Sequence, residues 1–402
     1  ELLHRTPPAG YSHDEWWLKL KLQRSYAKRE LPLTDATGKP FTFAYTDEVL
    51  RLSEAIGRRT GGLEANASHP AIGENARYLL RSLVEESITS SQLEGASTSR
   101  KRAKHMLEAG LEPQDTSDRM IVNNFLAMGE VKERAREPLT PEWVLALHRT
   151  LTAGTLNDPG EEGRLQTAAD ERVSVVDQRE RVTHSPPAAD LLPERLDTVC
   201  EFANGSVDDQ PYLSPVIRAI ITHFMFGYDH YFADGNGRTA RTVFYWAMLH
   251  NGYHLAEHVA ISRILRKAPA QYGMAYEYSE DDEGDLTYFI LHQLRTFMRA
   301  LDDFEAYVAS KIAQARDINE LLRDASGTLN ERQMLLIDWF LREDVVRVVA
   351  KEVSHRFDVS GQTARNDLKG LEALGLLTAT AGRRPTVWTV PRDLNQRLAH
   401  VR

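Results

Sequence analysis

His230-Tyr231-Phe232-Ala233-Asp234-Gly235-Asn236-Gly237-Arg238-Thr239-Ala240-Arg241 is the stretch on which the reading of this chain turns. Its two glycines let a backbone approach a ligand closely, just where a helical pattern opens from Arg238 to Leu249. Free amides at a helix start make an anion site. Arg238 and Arg241 sit three residues apart, so both lean toward that site with forked donors for phosphate oxygens. Asp234 adds a hard oxygen ligand, and Mg2+ typically takes one or two carboxylates together with substrate phosphates. His230, just ahead of the loop, is placed to accept the proton of an incoming hydroxyl. The predicted ligand is ATP with Mg2+. The chain has no G-x-x-x-x-G-K-[ST] loop, so a nucleotide has to use this turn instead.

The string resembles the Fic signature, H-x-F-x-[DE]-G-N-G-R-x-x-R, at every specified position. Under uniform residue usage that match has a chance frequency on the order of one in ten billion per start point. The resemblance implies a mainly α fold, with a Fic-type helical core and a short β-hairpin flap. It implies a protein adenylyltransferase: a Ser, Thr or Tyr hydroxyl of a target protein, or of the chain itself, attacks the α-phosphate of ATP and pyrophosphate leaves. His230 would be the general base and Asp234 the Mg2+ ligand. Gly235, Asn236, Gly237, Arg238 and Arg241 would bind ATP. Tyr272 and Tyr276, at helical spacing, would flank the adenine; such a pair also reads as core packing. Tyr231 stands where many Fic proteins have proline.

Looser matches extend the resemblance over about residues 75 to 300: Asn124-Phe125, Leu147-His148, Pro159 to Arg164, and Gly284 to Thr287. Between Arg172 and His184, β-branched runs around a polar middle, closed by Pro186-Pro187, predict a short hairpin. In Fic proteins such a hairpin is a flap that pairs with the target segment. Val173, Val175, Val182 and Thr183 would then dock the target by strand addition.

Ser90-Ser91-Gln92-Leu93-Glu94-Gly95 resembles the [ST]-x-x-x-E-[GN] inhibitory motif of many Fic proteins. Ser90 and Glu94 share a helix face, and Gly95 is a predicted C-cap. A carboxylate at that negative helix end costs a few tenths of a kcal/mol unless a cation meets it. Arg241 is the expected cation, which makes Glu94, with Ser90, the expected brake.

The formal net charge is −9, and the ends of the chain differ. Residues 330–402 carry 12 Lys+Arg against 9 Asp+Glu, a net +3, which leaves −12 for residues 1–329. Nucleic-acid contact is therefore expected at the C-terminus. There, three helices near 331–342, 346–356 and 361–374 and a two-stranded wing from Leu376 to Val390 read as a winged helix-turn-helix. Leu368, Leu371 and Leu374 form its predicted buried stripe. Arg365, Asn366 and Lys369, with Arg383 at the wing tip, are the DNA-contact candidates.

The predicted domains are an N-terminal helical extension (1–74), the inhibitory-helix region (75–110), the catalytic core (111–323) and the winged helix (324–402). No membrane-spanning run and no secretory signal pattern is found, so a cytoplasmic protein is expected. Cys200, the single cysteine, is a predicted buried hydrophobe. His254-Leu255-Ala256-Glu257-His258 has the H-x-x-E-H zinc spacing, but Gly252 before it and the strand-like Val259-Ala260-Ile261 after it predict solvated loop histidines. Two alternatives stay open beside AMP transfer: a DNA-binding regulator with a nucleotide-sensing Fic body, and hydrolytic removal of AMP. A homodimer is also open.

Overall fold

The computed structural model describes residues 5–61, 76–172, 175–176, 182–206, 208–209, 211–343, 345–380 and 385–401. The chain divides into two compact units, Glu1–Phe304 and Glu305–Arg402. In chain order the first holds α1 (His13–Ser25), β1 (Lys28–Thr34), β2 (Pro40–Ala44), α2 (Asp47–Thr60), α3 (Ala76–Leu93), α4 (Arg100–Ala109), α5 (Thr116–Glu133) and α6 (Pro141–Thr152). It continues with β3 (Val175–Val176), β4 (Val182–His184), α7 (Leu192–Ala203), α8 (Pro215–Asp229), α9 (Asn236–His250), α10 (Ile261–Leu265), α11 (Pro269–Asp281) and α12 (Thr287–Asp324). The mainly α reading holds.

At its centre α8 packs on α9. Both are buried nearly all round, with Ile220, Phe224, Val243 and Trp246 shut off from water. The stripe Val144, Leu147, Leu151 of α6, at helical spacing, is fully buried, as is Ile121 of α5. A smaller core of Val84, Ile88, Ala103, Met106 and Ile121 joins α3, α4 and α5, and so fixes α3 beside the central pair. Cys200 is buried, and burial pushes its thiol up to about 12.

The N-terminal extension is not all helix. Leu31, Leu33, Phe41 and Phe43 alternate inward along the β1–β2 hairpin, the two-residue period of a half-buried strand pair. Phe41 meets Phe224 and Tyr228 of α8 edge-on at 5.5 and 5.1 Å. The hairpin thus backs the helix that ends at His230.

The second unit holds the end of α12, α13 (Glu331–Arg342), β5 (Arg347–Val349), α14 (Ala350–Arg356), α15 (Gly361–Ala373), β6 (Thr378–Ala379), β7 (Val387–Thr389) and α16 (Leu394–Ala399). Two expectations need correction. The sheet has three strands in the order β5-β7-β6, because the β-branched Val348 and Val349 pair with Trp388 and Val387 before the helix of 346–356 can start. Leu374 is 37% exposed: α15 stops at Ala373, and Leu376 and Leu377 fill the core instead, with Leu368 and Leu371 as predicted. The division between units falls inside α12, upstream of the expected boundary near 324, since Leu321, Leu322 and Ala325 pack into the winged-helix core.

The His254–His258 segment is a 3-10 turn, and Ile261 opens a helix rather than a strand. His258 is not solvated. It is buried on Phe304 at 5.9 Å, and burial holds it down near pH 4, while Glu257 pairs with Lys132 at 2.9 Å. No group of three His, Cys, Asp or Glu side chains among the described residues is arranged to hold a metal. No helix among them is long and apolar enough to cross a membrane.

Candidate active site

The chain leaves α8 through His230 and re-enters helix at Asn236, a turn made possible by two left-handed residues, His230 (φ 50°) and Gly235 (φ +83°). Asn236 closes the loop from inside. Its Oδ1 accepts the Phe232 amide at 2.9 Å and its Nδ2 donates to the Phe232 carbonyl at 2.7 Å. His148 of α6 braces it from outside: Nδ1 accepts from the Gly163 amide at 3.0 Å, so the other nitrogen carries the proton and donates to the Asp234 carbonyl at 2.8 Å. The His148 ring also stacks on Phe232 at 3.7 Å.

His230 donates from Nδ1 to the Gly227 carbonyl at 3.1 Å, because a carbonyl can only accept. Nε2 is therefore the lone-pair nitrogen of the neutral ring. Burial lowers its pKa, which keeps that ring neutral near pH 7. Arg238, on the first turn of α9, is fully buried, with one nitrogen donating to the Leu151 carbonyl at 2.9 Å while Nε and Nη2 make no hydrogen bond. Burial disfavours its charged form, and the carboxylate in reach is Asp234, 3.7 Å from Nη2. An unsatisfied buried guanidinium beside the first amides of α9 is the donor set a phosphate needs. The Asp234 side chain is 60% exposed, so its carboxylate is open to solvent, a fit for a Mg2+ shared with substrate phosphates and not for an all-protein cage.

The Fic/DOC family model matches residues 138–248, from the start of the segment that holds α6 to the end of α9. The chain carries a Fic domain. The DeoR-like helix-turn-helix model matches residues 332–384, so a helix-turn-helix domain follows it. A curated relative, the protein adenylyltransferase Fic of Nematostella vectensis, is 27% identical over 175 residues, 43% of this chain and 35% of that protein. The match thus spans about a third of the relative's length. Two solved structures share the fold: a Fic family protein from Desulfovibrio desulfuricans G20 (TM-score 0.56, 17% identity, 87% of this chain and 98% of that one) and a Fic domain containing signaling protein from Bacteroides thetaiotaomicron VPI-5482 (TM-score 0.51, 18% identity, 66% and 97%).

The Fic domain's second arginine is occupied. Arg241 is 1% exposed and donates from Nε to Ser90 Oγ at 2.9 Å, and from Nη2 to the Ser90 carbonyl at 3.0 Å and Glu94 Oε1 at 2.9 Å. Burial works against its charge, and Glu94, Tyr272 and Glu86 together more than offset it. Gly95 ends α3 with φ +93°, the left-handed cap its sequence position predicts. Gly237 makes the approach possible, since a Cβ there would lie 2.3 Å from Glu94 Oε1. The glycine read as a ligand-facing position is, in this conformation, the seat of Glu94.

Tyr272 stands at the edge of this group, its hydroxyl 2.8 Å from His223 Nε2. Tyr276 belongs to the core, stacked on Phe224 at 5.0 Å. The predicted hairpin exists as β3 paired antiparallel with β4, and Val182 is exposed. Val173 lies outside the described residues, as do the side chains of Val175 and Thr183. In the helix-turn-helix domain Arg365, Asn366 and Lys369 are exposed on α15, while Arg383 lies outside the described residues.

Several contributors carry no sequence signal of their own. Glu86, one further turn back on the Ser90–Glu94 face, is fully enclosed and accepts the Ser262 amide at 3.0 Å, with burial raising its pKa. Arg172, half-buried, and His184, buried, stand at the feet of the hairpin. In a one-dimensional reading they look like the polar ends of strands.

His148 supplies a pH test of the loop. Burial lowers its pKa from 6.5 to about 4, so the unfolded chain binds this proton first as pH falls. The stability it protects is complete above pH 6.5 and is lost as pH falls from there toward 4, at up to about 1.4 kcal/mol per pH unit. His223, lowered by burial to about 3, adds in the same direction. Urea midpoints should fall between pH 7 and pH 5, and less steeply for His148→Gln; identical pH dependence in the two proteins would count against this role for His148.

Proposed function

We propose that this protein transfers AMP from ATP to a hydroxyl of a target protein, and that Glu94 holds it at rest. The observation that carries the reading is one helix-loop-helix that holds both a neutral His230 with its lone pair on Nε2 and, on the first turn of α9, a buried Arg238 with two nitrogens that make no hydrogen bond. The target hydroxyl loses its proton to His230 Nε2 as its oxygen bonds to the α-phosphorus; the bond to the β-phosphate oxygen breaks and pyrophosphate leaves. Arg238 and the first amides of α9 offset the negative charge on the phosphates. Asp234 would hold Mg2+, whose charge further neutralises the polyphosphate when bound. Arg241 is the ligand for the terminal phosphate, withdrawn by Ser90 and Glu94. The hairpin would hold the target segment along β3 and β4 by strand addition.

Incubation with ATP labelled on the α- or the γ-phosphate tests this. Label on protein only from the α position is expected; γ-label would mean kinase chemistry. Release of AMP from a modified protein without any forward transfer would favour the hydrolytic alternative.

A second reading concerns the helix-turn-helix domain. Arg365, Asn366 and Lys369 present groove-reading types on one exposed face of α15. If that face reads DNA, Arg365→Ala costs about 1–3 kcal/mol of specific binding, with smaller losses on unrelated sequence. Titration of the full chain against its own promoter region by mobility shift would show this. Unchanged affinity would assign the domain to protein docking.

A further inference from the structure

The last carbonyls of a helix have no partner within it and must find one elsewhere. At the end of α8 all four find side chains. The Gly227 carbonyl accepts from the His230 ring at 3.1 Å, and the Tyr228 carbonyl from His184 Nε2 at 2.6 Å. The Asp229 and His230 carbonyls accept the two arms of Arg172 at 2.8 and 2.9 Å. Arg172 also donates through Nε to the Pro187 carbonyl at 2.9 Å and through Nη1 to Gln166 Oε1. Apart from the ring of His230, every donor comes from the feet of one hairpin: Arg172 where the chain enters it, His184 where it leaves.

We infer that Arg172, with His184 beside it, is a positioning residue that couples the hairpin to the base His230. This rests on the AMP-transfer reading. His230 sits in a left-handed backbone (φ 50°) that a non-glycine residue holds only where its surroundings impose it. Arg172 imposes it by fixing the carbonyls on both sides of the His230 amide-to-Cα segment, and as a cation at a helix C-terminus it is favoured there by the dipole. A target segment added to the hairpin therefore loads the same side chain that aims the imidazole. Its planar fork is needed, since one guanidinium reaches three backbone carbonyls that a lysine ammonium on a flexible stem does not span. The charged groups facing the His230 ring are Arg172 and His184, which disfavour its protonation, and Glu94, which favours it.

The test uses the full chain carrying Glu94→Gly, with and without Arg172→Met or Arg172→Lys. The expected result for Arg172→Met is a roughly 10²-fold fall in kcat for AMP transfer with KM for ATP unchanged, the size of effect a misplaced reacting group produces. The acid limb of its pH profile should move to higher pH, because a cation near His230 is gone. Arg172→Lys should keep the acid limb and still lose kcat. Unchanged kcat in Arg172→Met overturns the inference, and so does a parallel loss of ATP affinity, the mark of general damage to the site.

Histidine ring nitrogen NMR, with His230 assigned through His230→Gln, gives a readout independent of turnover. Upward titration of His230 and loss of its Nδ1–H tautomer are expected in Arg172→Met. Identical titration and tautomer in native and variant protein overturn the positioning role. Absence of transfer by the Glu94→Gly protein itself would instead sink the AMP-transfer reading, and the NMR result would still decide the role of Arg172.

Discussion

Glu94→Gly protein is expected to label itself with AMP at least about 10²-fold faster than the native chain. Arg241 has no surface of its own, being 1% exposed, and its Nε and Nη2 donors are spent on Ser90 and Glu94. The bond to Ser90 alone would persist in the variant, but it lacks the countercharge, and the Glu94 carboxylate itself lies over Gly237 where a phosphate has to enter. The substitution thus removes a competitor for the arginine and an anion from an anion site. Coupling of a few kcal/mol in a partly buried pair is ample, since each 1.4 kcal/mol is about tenfold in occupancy. The solvent-facing side of Glu94 reduces the Coulomb part, so most of the gain is expected from the vacated site. Arg241→Ala must behave in the opposite way, losing the phosphate ligand together with the brake. Side-by-side rates with α-labelled ATP decide it, and equal rates for native and Glu94→Gly protein would show that no brake exists.

The second large effect is loss of the base. His230→Ala, placed on the Glu94→Gly background so that there is a rate to lose, is expected to reduce AMP transfer about 10²- to 10⁴-fold. ATP binding should persist, because Arg238, the α9 amides and Asn236 are held by contacts that do not pass through the imidazole: Arg238 by Leu151, Asn236 by Phe232. Some folding stability should also go, since the Gly227 carbonyl loses its donor. Calorimetric ATP titration beside the rate measurement separates these effects. Transfer at the unsubstituted rate would remove His230 from the role of base.

The sequence by itself determined what is local. The twelve residues from His230 to Arg241 prescribe a turn, a helix start and the donors around it, and that local geometry was readable because neighbours in the chain do the work. The same holds for the Ser90–Glu94 face, capped by Gly95, and for the stripes of α6 and α15 that repeat at helical spacing. What failed were readings in which a distant partner outvoted local preference. Val348 and Val349 became strand because β7 lies beside them, and His258 left solvent because Phe304 covers it. Only the tertiary structure decided that His148 and Gly163 brace the Asp234 carbonyl, and that Arg172 and His184 close the end of α8. The reason is physical: helix ends and buried cations leave hydrogen bonds unmade locally, and which remote side chain makes them depends on packing that no short stretch of sequence encodes.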